Sequence, residues 1–417
     1  MKINCLGGFR QVGKTAVMLE SEAKRTNIVL DYGMEVETGK MPLPVNKVDA
    51  IVLGHAHLDH SGFVPAIYKR LRPTIYSTAP TFDMAHLLLK DSLKIAKIKN
   101  FAKQYALSDI DKMKEHEMRI TYGQRVDERN FSLDIFDAGH IPGSTAPLLE
   151  IENKRFLYAC DFNTDQTRLL NGERIDVRDV DVLMMESTYA DKEHPSREET
   201  EKKFYEAVSD TISNGGVAVM PCFAVGRAAE ILMTLNSFNP DFPIFLDGMA
   251  KTATEIALKY PELLRDPKAL KNAFSRTKEI FDDKDRKKIA KNPCAIITSS
   301  GMLEGGPSVR YLKYLYDDPN SSVIFTGYLM EKTAGRILFE TGRFVTEGFD
   351  QKIKMNVHKF DFSAHAGRTG LLNFVKRINP QKILCLHGDK CEWFANDLKE
   401  QGFDAVAPDN GDTVDIV

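Results

Sequence analysis

His55-Ala56-His57-Leu58-Asp59-His60 is the stretch on which the rest of this sequence turns. Four of its six side chains are metal-binding types, and it follows an apolar, strand-like run, Ala50-Ile51-Val52-Leu53, that ends at Gly54. In an extended segment alternate side chains point the same way. His55 and His57 are therefore expected to face one ion, while Asp59 and His60, just past the turn, reach a second.

Three further positions share this context, a strand end followed by a turn. His140 sits in Asp137-Ala138-Gly139-His140-Ile141-Pro142-Gly143-Ser144, directly after an expected strand over 132–137. Asp161 ends Phe156-Leu157-Tyr158-Ala159-Cys160, and His387 ends Ile383-Leu384-Cys385-Leu386 ahead of Gly388. With the first run they make seven candidate ligands for two ions. Imidazoles suit zinc, a carboxylate can bridge two metals, and manganese also accepts such a set. Two divalent ions about 3.5–4 Å apart are a device for hydrolysing phosphate esters.

The chain has 417 residues, 43% hydrophobic and 28% charged, enough for a large core and an expected pair of domains. It has no apolar run of eighteen residues, and its N-terminus lacks the apolar stretch of a signal peptide, so no membrane partner is expected. The six cysteines are scattered, with no CxxC pair, and read as reduced thiols of a cytoplasmic protein. A net charge of −3 does not advertise a nucleic-acid partner, so any basic groove must be local.

Up to about residue 185, β-rich runs dominate. Strands are expected at 2–6, 15–20, 26–30, 49–53, 73–76, 132–137, 147–151, 154–160 and 181–185. A helical stretch over 81–116 is expected to break where Leu107-Ser108-Asp109-Ile110-Asp111 starts a new helix. From about 196 to 344 strands and helices alternate, the pattern of a parallel sheet flanked by helices. The tail is expected to hold a strand (352–358), helix (368–377), strand (381–386), helix (390–400) and a last strand.

The ligand run, its three partners and a series of further motifs resemble the β-CASP branch of the metallo-β-lactamase superfamily, the branch of RNase J and the cleavage and polyadenylation specificity factor nuclease. Glu186-Ser187-Thr188-Tyr189, Phe362-Ser363-Ala364-His365, Pro221-Cys222-Phe223-Ala224-Val225-Gly226-Arg227, Thr298-Ser299-Ser300-Gly301-Met302-Leu303, and Gly327-Tyr328 with Gly335-Arg336 follow in the family's order. The resemblance implies an α/β fold: a metallo-β-lactamase αββα sandwich, residues 1–189 and 351–417, with an inserted β-CASP domain over 190–350. It implies that His55, His57 and His140 hold one metal, that Asp59, His60 and His387 hold the other, and that Asp161 bridges them. Asp31 would orient ligand histidines. His365 is the candidate general acid, with Glu186 beside it favouring the imidazolium. Asp59, Glu186 and His365 are the catalytic candidates.

The implied reaction is hydrolysis of single-stranded RNA to 5′-phosphate and 3′-hydroxyl products. Endonuclease and 5′-exonuclease action are both open. Within the resemblance, a histidine at 387 speaks for RNA, since DNA-repair members usually carry an aliphatic residue there. Arg227, Ser299, Ser300, Gly301 and Arg336 are candidate phosphate partners, in a cleft expected between the domains. The chain resembles the family's catalytic core alone, so RNA selection is expected from the cleft, a homodimer or a processing complex. Lys284, Arg286, Lys287, Lys288 and Lys291 form a basic cluster, but Asp282, Asp283 and Asp285 interleave with it and suggest a solvated helix face.

Some positions depart from the family pattern. Cys160 replaces a common glycine and is expected to point away from Asp161 as a packing change. Gly367 replaces a frequent aspartate and removes a helix cap. Leu329, Met330 and Lys332 alter the loop before Arg336. Three rival readings remain. A thioesterase or lactonase of the same superfamily shares the first motif but lacks the inserted block. A non-catalytic scaffold would have lost ligands. Gly8-Phe9-Arg10-Gln11-Val12-Gly13-Lys14-Thr15 fits the P-loop pattern, but strand-like sequence follows Thr15 where a nucleotide site needs a helix.

Overall fold

The computed structural model describes residues 1–36, 38–98 and 104–416. They form two compact units: Met1–Gln166, Asn171–Glu193 and Ala364–Val417 make the first, and Thr167–Leu170 with His194–Ser363 the second.

The first unit is built on two seven-stranded sheets. One runs in the order Thr413–Asp415, Lys2–Gly7, Ala16–Ser21, Thr26–Leu30, Ala50–Val52, Thr74–Ser77, Glu117–Arg119. The other runs Ala405–Val406, Lys382–Leu386, Val182–Glu186, Lys154–Ala159, Thr145–Ile151, Ser132–Asp137, Arg125–Asp127. Alternation along the strands explains the stacking. Ile3, Cys5, Val17, Leu19, Ile28 and Leu30 of the first sheet share one core with Phe156, Tyr158, Val182, Met184, Leu384 and Leu386 of the second. The intervening residues of the second sheet, Leu157, Leu183, Met185 and Ile383, face helices Arg368–Ile378 and Cys391–Glu400. Each fully buried aliphatic or Phe side chain contributes about 1.5–3 kcal/mol, so this core, not the polar cluster at its rim, holds the unit together.

Parallel pairing sets where the loops emerge. Lys154–Ala159, Val182–Glu186 and Lys382–Leu386 are mutually parallel, with Ala159 opposite Met185 and Glu186 opposite Leu386. Thr26–Leu30 and Ala50–Val52 are also parallel, with Leu30 opposite Val52. Within each group the strands end at one edge, and the segments carrying Asp31, His55–His60, Asp161 and His387 leave from those ends.

The second unit holds a fully parallel five-stranded sheet in the order Ile244–Asp247, Cys294–Thr298, Val217–Pro221, Ser322–Phe325, Asn356–Lys359. Val217 and Val219 pack on one face with Tyr311, Leu312 and Leu338, and Ala218 and Met220 pack on the other with Phe204, Ile231 and Leu235. Asp247, at the end of its strand, is buried and receives Arg286 through two hydrogen bonds of 2.7 and 2.9 Å, with Tyr311 Oη donating at 2.9 Å. Arg286 therefore pins helix Asp283–Ile289 to the sheet and is not a free member of the basic cluster.

Expected and observed elements differ in several places. The strand expected at 352–358 is two strands: Phe349–Lys352 pairs with Arg343–Thr346, and Asn356–Lys359 then joins the inserted sheet beside Ser322–Phe325. The second unit thus runs past 350 to Ser363. The long helical stretch is Ala79–Ile98 and Leu107–Glu115, and 99–103 lie outside the described residues. Ala106 caps the second helix, with Asp109 accepting from its N–H at 3.0 Å. Edge strands Glu117–Arg119 and Arg125–Asp127 and helices Pro267–Ser275 and Asp283–Ile289 were not expected; they are short and charged and carry little periodic signal. No helix among the described residues is long and apolar enough to cross a membrane.

Replacing Arg286 with Met leaves the Asp247 carboxylate buried without its ion pair. The expected cost is about 3–5 kcal/mol in the stability of the inserted unit, read from the urea midpoint. A midpoint unchanged from wild type would show that Tyr311 and the Gly248 N–H, which donates to Asp247 Oδ1 at 2.6 Å, suffice for Asp247.

Candidate metal centre

The run after strand Ala50–Val52 bends at Ala56 and His57 and then makes a single helical turn, Leu58–Ser61. Two groups of donor atoms result. His55 Nε2 lies 3.1 Å from His57 Nδ1, which lies 3.2 Å from His140 Nε2. Asp161 Oδ2 is 3.4 Å from His55 Nε2 and 3.6 Å from His140 Nε2. In the other group, Asp59 Oδ2 is 3.8 Å from both His60 Nε2 and His387 Nε2. Asp161 serves this group too, at 3.4 Å from His60 Nε2 through Oδ2 and 3.3 Å from His387 Nε2 through Oδ1. All seven side chains named from the sequence are thus brought together, with Asp161 between the groups.

The donor chemistry fits a metal. His60 Nδ1 faces the Asp31 carboxylate at 2.7 Å, and His140 Nδ1 faces the Ala364 carbonyl at 2.8 Å. Both partners accept, so each Nδ1 carries the hydrogen and each Nε2 offers a lone pair. His60 Nε2 is buried, with no hydrogen-bond partner among the described residues. Lone pairs aimed at one another need a cation between them. Zinc–nitrogen bonds of about 2.0–2.1 Å in a tetrahedron imply ligand–ligand edges of about 3.3–3.4 Å, close to the separations seen here.

Burial pushes His55 and His140 well below the ordinary histidine pKa, with nearby imidazoles adding to the effect, and lowers His57 against the pull of Asp59 and Asp161. For His60, burial also lowers the pKa, but Asp161, Asp59 and Asp31 outweigh it and hold the ring well above the ordinary value, so a cation is favoured at Nε2, where a metal would take the place of a proton. Burial raises Asp161, but His387 and His60 overcome it and hold the carboxylate well below its usual range.

Three of the cluster's residues, Asp31, Asp161 and His387, have positive φ (54°, 54° and 49°) just past a strand end. The left-handed region costs a non-glycine residue about 1–2 kcal/mol, and such residues gather where function demands a particular aim. The same torsion overturns the expectation for Cys160. Alternation breaks at Asp161, so Cys160 Sγ does not point away but donates to Asp161 Oδ1 at 3.7 Å. Asp31 is held in turn by Gly54 N–H at 2.6 Å and Tyr158 Oη at 2.8 Å. Tyr158 had no signal in the sequence beyond its place on a core strand.

Glu186 ends strand Val182–Glu186 and is fully buried. Its carboxylate accepts from Phe162 N–H at 2.8 Å and meets His365 Nδ1 at 2.9 and 3.1 Å. The His365 ring stands 4.7 Å from that of His140. Burial lowers the His365 pKa, but Glu186, Asp161 and Asp59 raise it to about 9. The cap lost at Gly367 is supplied from elsewhere: Glu193 accepts from Thr369 N–H at 2.8 Å.

The phosphate candidates lie in the second unit. Arg227 donates to the Thr326 carbonyl at 2.6 Å and, with Gly301, Phe223 and Tyr328, lines a pocket. Burial lowers its pKa. Arg336, in contrast, is paired with Glu340 at 2.6 Å. Ser300 N–H donates to Ser308 Oγ at 3.0 Å, and Ser300 Oγ accepts from Glu304 N–H at 3.2 Å, so that loop spends much of its bonding on itself. The P-loop-like stretch 8–15 joins two antiparallel strands and leads into no helix.

Comparison with known proteins agrees with this architecture. A metallo-β-lactamase superfamily domain model matches residues 19–188, a β-CASP domain model 228–338, and a Zn-dependent metallo-hydrolase RNA specificity domain model 350–408. The probable RNase MJ4 of Methanocaldococcus jannaschii is 35% identical, over 100% of both chains. RNase aCSPSF2 of Saccharolobus solfataricus is 34% identical, over 99% of this chain and 85% of that one. Transcription termination factor FttA of Pyrococcus abyssi is 35% identical, over 99% of this chain and 71% of its own. A crystal structure of a protein of unknown function from Enterococcus faecalis V583 shares the fold, with a TM-score of 0.61 at 14% identity over 99% of each chain. By its domain models and its whole-length identity to these relatives, the chain belongs to the β-CASP ribonuclease branch of the metallo-β-lactamase superfamily.

Proposed function

We propose that this protein is a two-zinc ribonuclease that hydrolyses phosphodiester bonds of single-stranded RNA. The observation that carries this reading is the closed set of seven converging donor side chains with the Glu186–His365 pair beside it. The relatives named as RNases and the RNA specificity model support RNA over other esters.

His55, His57 and His140 would hold one ion and Asp59, His60 and His387 the other, with Asp161 within reach of both. When bound, the ions supply an activated water and neutralise charge on the phosphate. Asp31 keeps His60 in the tautomer whose Nε2 is free to coordinate. Glu186 accepts the Nδ1 hydrogen of His365, fixing the ring and stabilising its charged form. His365 then gives a proton to the departing 3′ oxygen, leaving a 3′-hydroxyl on one fragment and a 5′-phosphate on the other. Arg227, which lines a pocket with Gly301, Phe223 and Tyr328, is the phosphate partner assigned in the inserted unit.

A 5′-labelled single-stranded RNA, incubated with zinc-loaded protein, is expected to be cut. Internal fragments would mean endonuclease action, and released mononucleotide would mean 5′-exonuclease action. His365→Ala is expected to lower kcat by about 10²–10⁴ while retaining both ions. A variant cutting at the wild-type rate would remove His365 from the proton step. Turnover of a small thioester or lactone with none of RNA would replace the substrate class.

Metal analysis of the loaded wild type is expected to give two zinc ions per chain. Asp31→Asn should weaken zinc binding by about 10–100-fold in a chelator competition. Substantially fewer than two ions in the fully loaded wild type would favour a scaffold over an enzyme.

A further inference from the structure

The P-loop-like stretch has a job unrelated to nucleotides. Thr15, its last residue, is fully buried, and its Oγ1 lies 2.8 Å from His387 Nδ1. Its backbone N–H donates to the Asp59 carbonyl at 2.8 Å, and its own carbonyl accepts from Gly33 N–H at 2.9 Å. At the other end of the stretch, the Gly8 carbonyl accepts the His387 backbone N–H at 2.7 Å. His387 is thus gripped at ring and backbone by one loop, and the same loop holds Asp59. Those are two of the three terminal ligands assigned to the second ion.

The glycine of the motif fits this purpose. Gly8 has φ +78°, and a Cβ there would come within 2.9 Å of Thr15 Cα and 3.1 Å of its Oγ1. A side chain at position 8 would displace the hydroxyl that reaches His387. No parallel strand–helix unit surrounds the loop: Gly7 pairs with Ala16 across an antiparallel connection.

We infer that Thr15 is a positioning residue for the second ion. Its Oγ1 accepts the His387 Nδ1 hydrogen and so leaves Nε2 as the coordinating atom, while its N–H fixes the backbone of Asp59. The inference rests on the metal assignment proposed above. It parallels the way Asp31 serves His60, but with a neutral partner, and it ties residues near the two chain ends to one ion. A metal-ligating histidine whose other ring nitrogen loses its partner typically weakens metal affinity by one to two orders of magnitude.

The test is zinc titration against a chromophoric chelator on full-length wild type, Thr15→Val and Thr15→Ser. Thr15→Val keeps the branched shape without the hydroxyl. It is expected to bind one of its two zinc ions about 10–100-fold less tightly, with the other unchanged, and to lose kcat on RNA with little change in KM. Thr15→Ser is expected to restore both. Two zinc ions bound by Thr15→Val with wild-type affinities would overturn the inference and leave the metal assignment standing. Wild type that fails to take up two ions would defeat the assignment and the inference together. If Thr15→Val does not fold, nitrogen-15 spectra of the histidine rings in zinc-loaded wild type decide. A His387 ring protonated at Nδ1 and shifted by metal at Nε2 supports the role, and a ring protonated at Nε2 overturns it.

Discussion

The constraint on which the site and its surrounding loops depend is the crowding of imidazole lone pairs and carboxylates in a desolvated space. Donors that would each prefer water are held 3.1 to 3.8 Å apart. Burying such groups unpaired costs several kcal/mol each, so the arrangement persists only because other bonds dictate it. Asp31, Ala364 and Thr15 each occupy the outward nitrogen of one histidine. Asp31 is in turn fixed by Gly54 and Tyr158. The left-handed torsions at Asp31, Asp161 and His387 are a further cost, borne by the apolar core that the two sheets share.

The same constraint explains how an insertion within the unit is tolerated. His365 and His387 come after the second unit in sequence, yet they complete a site begun at Asp31. The closing segment is secured by pairing in both sheets. Lys382–Leu386 lies between Val182–Glu186 and Ala405–Val406, and Thr413–Asp415 pairs with Lys2–Gly7. Hydrogen bonds joining His387 to Gly8 and Thr15 span more than 370 positions of chain. A site assembled from such distant pieces gains rigidity from the sheets rather than from its own loops.

The inserted unit follows the ordinary logic of a parallel sheet with helices on both faces, and several of its less exposed charges are paired within it. Asp247 takes Arg286; Glu230 and Glu201 take Arg168 and Arg197. A chain with net charge −3 that acts on a polyanion must keep specific cations unspent. In that respect Arg227 differs from Arg336 and Arg286, whose guanidinium groups are each committed to a carboxylate.

Much of this was legible from the residues alone. The run at 55–60, the strand-then-turn setting of His140, Asp161 and His387, and the Glu186 and His365 motifs name the cluster, because metal ligands are few residue types in stereotyped positions. Strand and helix periodicity located the long elements within a residue or two, because burial of one face or of both leaves a pattern in sequence. Tertiary structure alone decided what depends on neighbours distant in the chain. Asp161 turns left-handed and swings Cys160 toward its carboxylate. Asn356–Lys359 adds to the inserted sheet because the edge beside Ser322–Phe325 accepts it. Thr15 lies inside a pattern that suggests phosphate binding, yet it meets His387. Hydrogen-bond partners hundreds of residues apart leave no periodicity to read; they exist only once the two sheets have stacked.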